Sequence, residues 1–206
     1  MTTGALERVI RRAGTRRRDA QEHCELCSEP LPEEHRHMLD TDSGSGVGTV
    51  LCACRACSIL FNRDAASNGH YRLLPERRLR LAGVDPSGLG VPVGLAFLIA
   101  QPDGAVRAHY PSPGGATQWE IGAEPWRAVV RDCPVLAELV PLVEALLVNT
   151  TGDRREAWLV PVDDCYRLVA IVRREWTGLT GGHRVGPAIE RFFDELGRLH
   201  GQDQGR

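Results

Sequence analysis

The chain has 206 residues, of which 42% are hydrophobic and 25% charged, a composition typical of one ordinary domain or of a small module joined to a larger one. Its 25 basic and 27 acidic residues nearly cancel, so no overall positive field points to a nucleic-acid partner, and no apolar run approaches the roughly 20 residues that a membrane helix needs. All the basic residues are Arg, which excludes reactions that use a Schiff-base lysine or a P-loop lysine.

Residues 1–22 are predicted to form a basic N-terminal arm. Six Arg and two acidic residues fall in its first 20 positions, with Leu6, Val9 and Ile10 at helical spacing. We expect this arm to be solvated, or to dock on an acidic partner surface. No apolar segment of a secretion signal follows the arginines before Cys24. The protein is therefore expected in the cytoplasm, where thiols are kept reduced.

Cysteines are concentrated in a module predicted over residues 23–62. Two Cys-x-x-Cys pairs, Cys24 with Cys27 and Cys54 with Cys57, match the paired turns that present four thiolates to a tetrahedral ion. We therefore predict a small zinc-ribbon-like or rubredoxin-like module whose folding depends on its metal. Zinc is the expected ion, and iron is the alternative because four thiolates also bind a single iron. Each of three further residues could replace one ligand: Cys52, His35 and His37.

Short apolar pieces between turns supply the predicted strands of this module. Residues 49–51 are expected to form the strand that enters the second cysteine pair, and residues 59–61 the strand that leaves it. The Gly/Ser-rich residues 42–48 are expected at the tip of a hairpin loop. Residues 63–85, in which several Arg lie among leucines, are predicted to be a linker.

The remaining residues, 86–206, are predicted to form an α+β domain of about four strands and three helices. The expected strands are 91–100, 105–110, 143–148 and 156–160. The expected helices are 126–139 with an interruption at Pro134, a helix from an N-cap at Asp163 to about residue 176, and 187–199.

The sequence contains no nucleophile elbow, zinc-protease helix or phosphate loop. Cys133 and Cys165 lie among apolar neighbours and are expected to be packing residues rather than nucleophiles. The Asp163-Asp164 pair is better explained by a helix N-terminus than by acid–base catalysis. The turn-rich residues 110–117 could cradle an anion, but no catalytic base accompanies them. We therefore predict no catalytic residue and no organic cofactor.

Several stretches of the chain resemble an uncharacterised bacterial, largely actinobacterial family that is encoded near nickel–iron uptake hydrogenases. They are residues 24–31 with their continuation through His35, His37, Cys52, Cys54, Cys57 and Phe61, residues 91–97, residues 110–117 and residues 160–182. The resemblance implies a setting, an accessory or maturation role around a hydrogenase, and not a reaction. The partner that it implies is a hydrogenase subunit or another accessory protein.

Three functions remain open at this point, and catalysis by the domain over residues 86–206 is a fourth option that no residue pattern supports. The first is a non-catalytic docking or maturation factor with a structural four-cysteine zinc site. The second is a rubredoxin-like iron protein that transfers single electrons. The third is a metal-delivery protein in which His35, His37 and Cys52 offer nickel or iron a transient site.

Overall fold

The computed structural model describes residues 21–42, 48–63, 66, 68–84, 89, 94–152, 154–178 and 181–203. The chain divides into two compact units, Met1–Leu73 and Leu74–Arg206. Residues 1–20 of the predicted basic arm lie outside the described residues.

The first unit contains a three-stranded antiparallel sheet in the order β2-β1-β3. Its strands are β1 (Arg36–Asp40), β2 (Thr49–Ala53) and β3 (Tyr71–Leu73). The strand predicted at residues 49–51 is thus confirmed. Because Asp40 pairs with Thr49, β1 and β2 form a hairpin, and the Gly/Ser-rich segment lies between its two strands. Residues 43–47 of that segment are outside the described residues.

A helix, α1 (Arg55–Phe61), follows the second cysteine pair. The prediction of a strand at residues 59–61 is therefore wrong. The reason is local: Cys54 is the N-cap of α1, and its sulfur accepts a hydrogen bond from the backbone N–H of Cys57, at 3.4 Å. This bond satisfies one of the N–H groups that a first helical turn leaves without a partner.

The core of the first unit is small. One cluster of five buried residues packs beneath the sheet and helix: Cys24, Leu31, Met38, Ala53 and Cys57. Small modules with a core of this size usually need a metal or a disulfide to offset the conformational entropy of folding.

The second unit contains a six-stranded antiparallel sheet in the order β4-β9-β8-β5-β6-β7. Its strands are β4 (Leu79–Leu81), β5 (Leu95–Ala100), β6 (Val106–Ser112), β7 (Gly115–Ile121), β8 (Glu144–Asn149) and β9 (Glu156–Pro161). Both faces of the central strands are buried, since all six residues of β8 are inaccessible to solvent.

Helices pack on both faces of this sheet. They are α2 (Ala123–Asp132), a 3₁₀ helix (Pro134–Glu138), α3 (Val162–Glu175) and α4 (Val185–Asp203). On one face, Val129 of α2 and Leu136 of the 3₁₀ helix share a core cluster with Leu98 and Leu146. On the other face, Phe97 contacts Tyr166 of α3 edge-to-face, with ring centroids 6.4 Å apart.

The predicted α+β class is confirmed, but the predicted number of strands is too low. Two strands of the six-stranded sheet were not predicted, β4 and β7. β4 has only three residues and lies within residues 63–85, the predicted linker, which also include β3. β7 is an edge strand whose five central residues are mostly exposed, so nothing in their hydropathy distinguishes them from a loop.

The three predicted helical segments are confirmed, but their ends differ from the prediction by up to four residues. Pro134 separates α2 from the 3₁₀ helix, as its ring requires. Asp163, however, is not the N-cap of α3, because the helix begins one residue earlier after Pro161. Asp163 and Asp164 both lie in its first turn, where their negative charges interact favourably with the helix dipole.

Two buried carboxylates of the second unit are paired with arginines from the segment preceding β4. Glu144, fully buried, accepts hydrogen bonds from Arg77 at 2.6 and 2.8 Å and from the N–H of Val140 at 2.8 Å. Asp164 accepts one from Arg78 at 2.6 Å. Burial raises the pKa of Asp164, and the positive charges of Arg78 and Arg167 oppose that rise. These carboxylates hold the segment to the sheet and α3 of the same unit.

Candidate metal centre

The first cysteine pair lies in a tight turn that the backbone fixes at both ends. Ser28 donates its N–H to the carbonyl of Cys24 at 2.7 Å, and Cys24 donates its own N–H to the carbonyl of Glu29 at 2.8 Å. Ser28 has a φ of 64°, the left-handed conformation that reverses the chain just after Cys27. This geometry brings the two sulfurs of Cys24 and Cys27 to one side of the turn.

Glu25 connects this turn to strand β2. Its N–H donates to the carbonyl of Cys52 at 2.9 Å, and its carboxylate accepts the N–H of Cys52 at 2.6 Å. The first pair is therefore held beside the end of β2, where the chain enters Cys54 and the first turn of α1. The cysteine spacing could not predict this contact, because it is made by Glu25, a residue between the two cysteines of the first pair.

The four thiols meet in one group. The sulfurs of Cys24, Cys27, Cys54 and Cys57 all lie within 4.8 Å of one another. The sulfurs of Cys27 and Cys54 are 3.7 Å apart. A tetrahedral ion with sulfurs at about 2.3 Å holds each pair of sulfurs about 3.8 Å apart. A disulfide would need about 2.05 Å, and the cysteines are free thiols. The arrangement thus fits a four-coordinate metal.

Backbone donors favour one thiolate in this group. Burial by itself raises the pKa of the Cys24 thiol, but hydrogen bonds from surrounding backbone N–H groups outweigh it and lower the pKa to about 6. These N–H groups belong chiefly to Cys54, Leu26 and Cys27. Burial and the neighbouring thiols raise the pKa of Cys57. Several thiolates so close together repel one another, and a cation at their centre removes that repulsion.

The three residues predicted as alternative ligands form a group of their own. The ligand atoms of His35, His37 and Cys52 lie within 4.8 Å of one another, and none of the three belongs to the four-sulfur group. In the antiparallel register, His37 pairs directly with Cys52 across β1 and β2. The structure therefore separates the seven candidate ligands into a group of four cysteines and a group of two histidines and one cysteine.

One known protein family matches this chain over most of its length. The sequence profile of DUF5947, described as a family of unknown function, matches residues 23–200. The chain belongs to this family. The match includes both candidate ligand groups of this DUF5947 chain and nearly all of its second unit. No curated protein and no solved structure matches it.

Outside the two ligand groups, the cysteines of this DUF5947 chain lie in apolar surroundings. Cys133 is buried at the C-terminal end of α2, and Cys165 is fully buried in α3. Burial raises the pKa of both thiols, which favours the unreactive protonated form. Their predicted role as packing residues agrees with this environment.

The turn-rich residues 110–117 form a β-hairpin. They contribute the end of β6, the start of β7 and the tight turn between them, with Ser112 paired to Gly115.

His109 lies on β6, is only 2% exposed, and stacks on Phe97 with ring centroids 5.0 Å apart. Burial, with a smaller contribution from the charge of Arg107, lowers its pKa to about 4, so it is neutral at physiological pH.

None of the helices in the described ranges has the length and apolar content that crossing a membrane requires.

Proposed function

We propose that this protein is a metal-binding accessory factor whose four-sulfur group holds a structural zinc ion. The ligands are Cys24, Cys27, Cys54 and Cys57. The observation that supports this best is the sulfur geometry: the four atoms lie within 4.8 Å of one another, and one pair is 3.7 Å apart, close to the edge of a zinc–thiolate tetrahedron. Four thiolates fill the coordination shell of zinc and leave no position for a substrate, which is typical of a structural site.

The size of the surrounding core supports a structural role for the ion. Two of the five residues in the core cluster of the first unit, Cys24 and Cys57, are themselves ligands in this proposal. Removing the metal would leave thiols in place of the coordination bonds that join the first turn to α1. In such modules the free energy of metal binding is the free energy of folding.

The metal-held unit would serve as a docking element, and the partner would be a nickel–iron hydrogenase subunit or another accessory protein in the cytoplasm. The partner rests on the resemblance given above. A surface feature agrees with docking: Ile59 and Leu60 of α1, two residues beyond Cys57, are 57% and 53% exposed. Adjacent exposed aliphatic side chains on a rigid helix are suited to protein contact.

Metal identity is tested on the full chain expressed without a histidine tag. Elemental analysis should find zinc, and the absorption spectrum should lack visible bands because zinc has a filled d shell. Iron with thiolate charge-transfer bands would replace this proposal with the rubredoxin-like electron-transfer function. Equal zinc content in wild type, Cys27→Ser and Cys54→Ser would refute the four-thiolate assignment.

Docking is tested by co-purification with defined hydrogenase subunits. The double variant Ile59→Asp and Leu60→Asp should lose the subunit that the wild-type chain retains, while its zinc content stays unchanged. Val140→Asp is the matched control, because Val140 is a 47% exposed aliphatic residue of the second unit. Retention of no hydrogenase subunit by the wild-type chain would contradict the proposed partner.

A further inference from the structure

We infer that His35, His37 and Cys52 form a second metal site, distinct from the four-sulfur site, which binds a borderline divalent transition-metal ion. The fold places these residues together. His37 and Cys52 are directly opposite each other on neighbouring antiparallel strands, and His35 lies just before β1, two positions before His37. Their ligand atoms lie within 4.8 Å of one another.

The ring of His35 is oriented as a metal ligand is. Its Nδ1 lies 3.1 Å from the carbonyl oxygen of Pro32, which can only accept, so Nδ1 carries the proton. In the neutral imidazole the lone pair is then on Nε2. Metal-binding histidines commonly hold their other ring nitrogen to a backbone carbonyl in this way, which fixes both tautomer and orientation.

The Nε2 atom of His35 is buried and has no hydrogen-bond partner. Its side chain is only 8% exposed, and the carboxylate of Glu22 lies 3.6 Å from Nε2. A buried acceptor without a partner is costly, and native structures rarely leave one. A cation bound between His35, His37 and Cys52 supplies the missing partner.

The spacing of the three groups is close to what an ion requires. Zinc-like ions bind imidazole nitrogen at about 2.0–2.1 Å and thiolate sulfur at about 2.3 Å, which sets ligand atoms about 3.3–3.6 Å apart. The rings of His35 and His37 already meet edge-to-face, with centroids 5.0 Å apart and planes at 80°. The three ligand atoms, within 4.8 Å of one another, are therefore at most about 1.5 Å farther apart than in a closed site.

The charges around the site favour a divalent cation. Cys52 would bind as a thiolate, the carboxylate of Glu25 is hydrogen-bonded to the N–H of Cys52 at 2.6 Å, and that of Glu22 lies 3.6 Å from Nε2 of His35. Two imidazoles and one thiolate suit Co²⁺, Ni²⁺, Cu²⁺ and Zn²⁺ rather than Mg²⁺ or Ca²⁺.

Three protein ligands leave a fourth coordination position for water, for the exposed carboxylate of Glu22, or for a group of an incoming protein. An ion held in this way exchanges more readily than one enclosed by four thiolates. The second site therefore gives the chain a means of receiving and passing on a metal ion, alongside the structural ion of the first site.

The test uses the full chain with its zinc in place and Co²⁺ as the probe, added without air. The wild-type protein should bind one Co²⁺ beyond its zinc and show a sulfur-to-cobalt charge-transfer band. Cys52→Ser should lose that band, and His37→Asn should weaken Co²⁺ binding at least about tenfold. His70→Asn, a histidine of the same unit outside both groups, is the control and should bind Co²⁺ as wild type does.

Zinc measured in the same samples separates the two sites. Co²⁺ that only replaces zinc, with no additional ion per chain, would overturn the second site, and so would an unchanged charge-transfer band in Cys52→Ser. If Cys52→Ser fails to keep its zinc, His37→Asn decides, and wild-type affinity in that variant would overturn the inference.

Discussion

The core cluster of the first unit has five buried residues, two of which are cysteines of the four-sulfur group, whereas the second unit buries apolar side chains on both faces of a six-stranded sheet. The first unit therefore lacks the apolar area that stabilises the second. Coordination bonds would replace that area. In the proposed account, one unit of the chain folds by burying apolar surface and the other folds by binding an ion.

The strongest test of this difference is removal of the metal from the four-sulfur site. Cys57→Ser should abolish zinc binding and unfold the first unit, because structural zinc supplies on the order of 10 kcal/mol of folding free energy in small modules. Hydrogen exchange should rise throughout β1 and β2 but remain slow in β5 and β8. Cys133→Ser, in the second unit, should leave the zinc content unchanged. Slow exchange in β1 and β2 of zinc-free protein would contradict the difference between the units.

The second unit should instead respond to the loss of a buried ion pair. Arg77→Ala leaves the fully buried carboxylate of Glu144 without its charged partner, which should cost about 3–5 kcal/mol. Urea unfolding of the second unit measures this change. Arg127→Ala is the matched control, because Arg127 and Glu124 form an exposed pair worth less than about 1 kcal/mol. Equal losses of unfolding free energy in the two variants would show that the burial of Glu144 does not increase the cost of losing its charged partner.

The second unit should also lose stability in mild acid. The pKa of His109 is about 4 in the folded chain and about 6.5 when unfolded, so the unfolded state binds more protons between these values. The free energy of unfolding of the second unit should therefore fall by on the order of 2–3 kcal/mol as the pH drops from 7 to 4. His109→Leu should remove this part of the slope. Urea unfolding at several pH values would detect an unchanged slope, which would mean that His109 is protonated within the fold.

The smallest effect concerns the first turn. Ser28 is exposed and has a φ of 64°, a conformation that costs a residue with a Cβ about 1 kcal/mol. Ser28→Gly should therefore stabilise the zinc-bound first unit by about 0.5 kcal/mol after the added freedom of the unfolded chain is subtracted. Ser28→Val, a β-branched residue, should destabilise it. Competition for zinc with a chelator ranks the three proteins, and the reverse order would contradict the assigned turn.

The cysteine spacing was sufficient to predict that four thiols meet, since each Cys-x-x-Cys pair is a local turn and β2 leads directly into the second pair. It could not predict the separation of His35, His37 and Cys52 into another group. That separation follows from the register of β1 and β2, in which His37 lies opposite Cys52, and register is a property of paired strands rather than of either strand alone.

The errors in the fold have several origins. Residues 59–61 read as a strand because they are apolar, but the sulfur of Cys54 caps a helix that includes them. β7 was missed because an exposed edge strand needs no apolar alternation. The arginines that neutralise Glu144 and Asp164 lie 67 and 86 residues earlier in the chain, and no local pattern connects them.

The most direct test of the central claim is X-ray absorption at the zinc edge of the full chain loaded with one equivalent of zinc. Ligation by the four-sulfur group predicts four sulfur scatterers at about 2.3 Å and no imidazole contribution. A shell containing nitrogen from imidazole, or fewer than four sulfurs, would place the first zinc ion elsewhere and contradict the account.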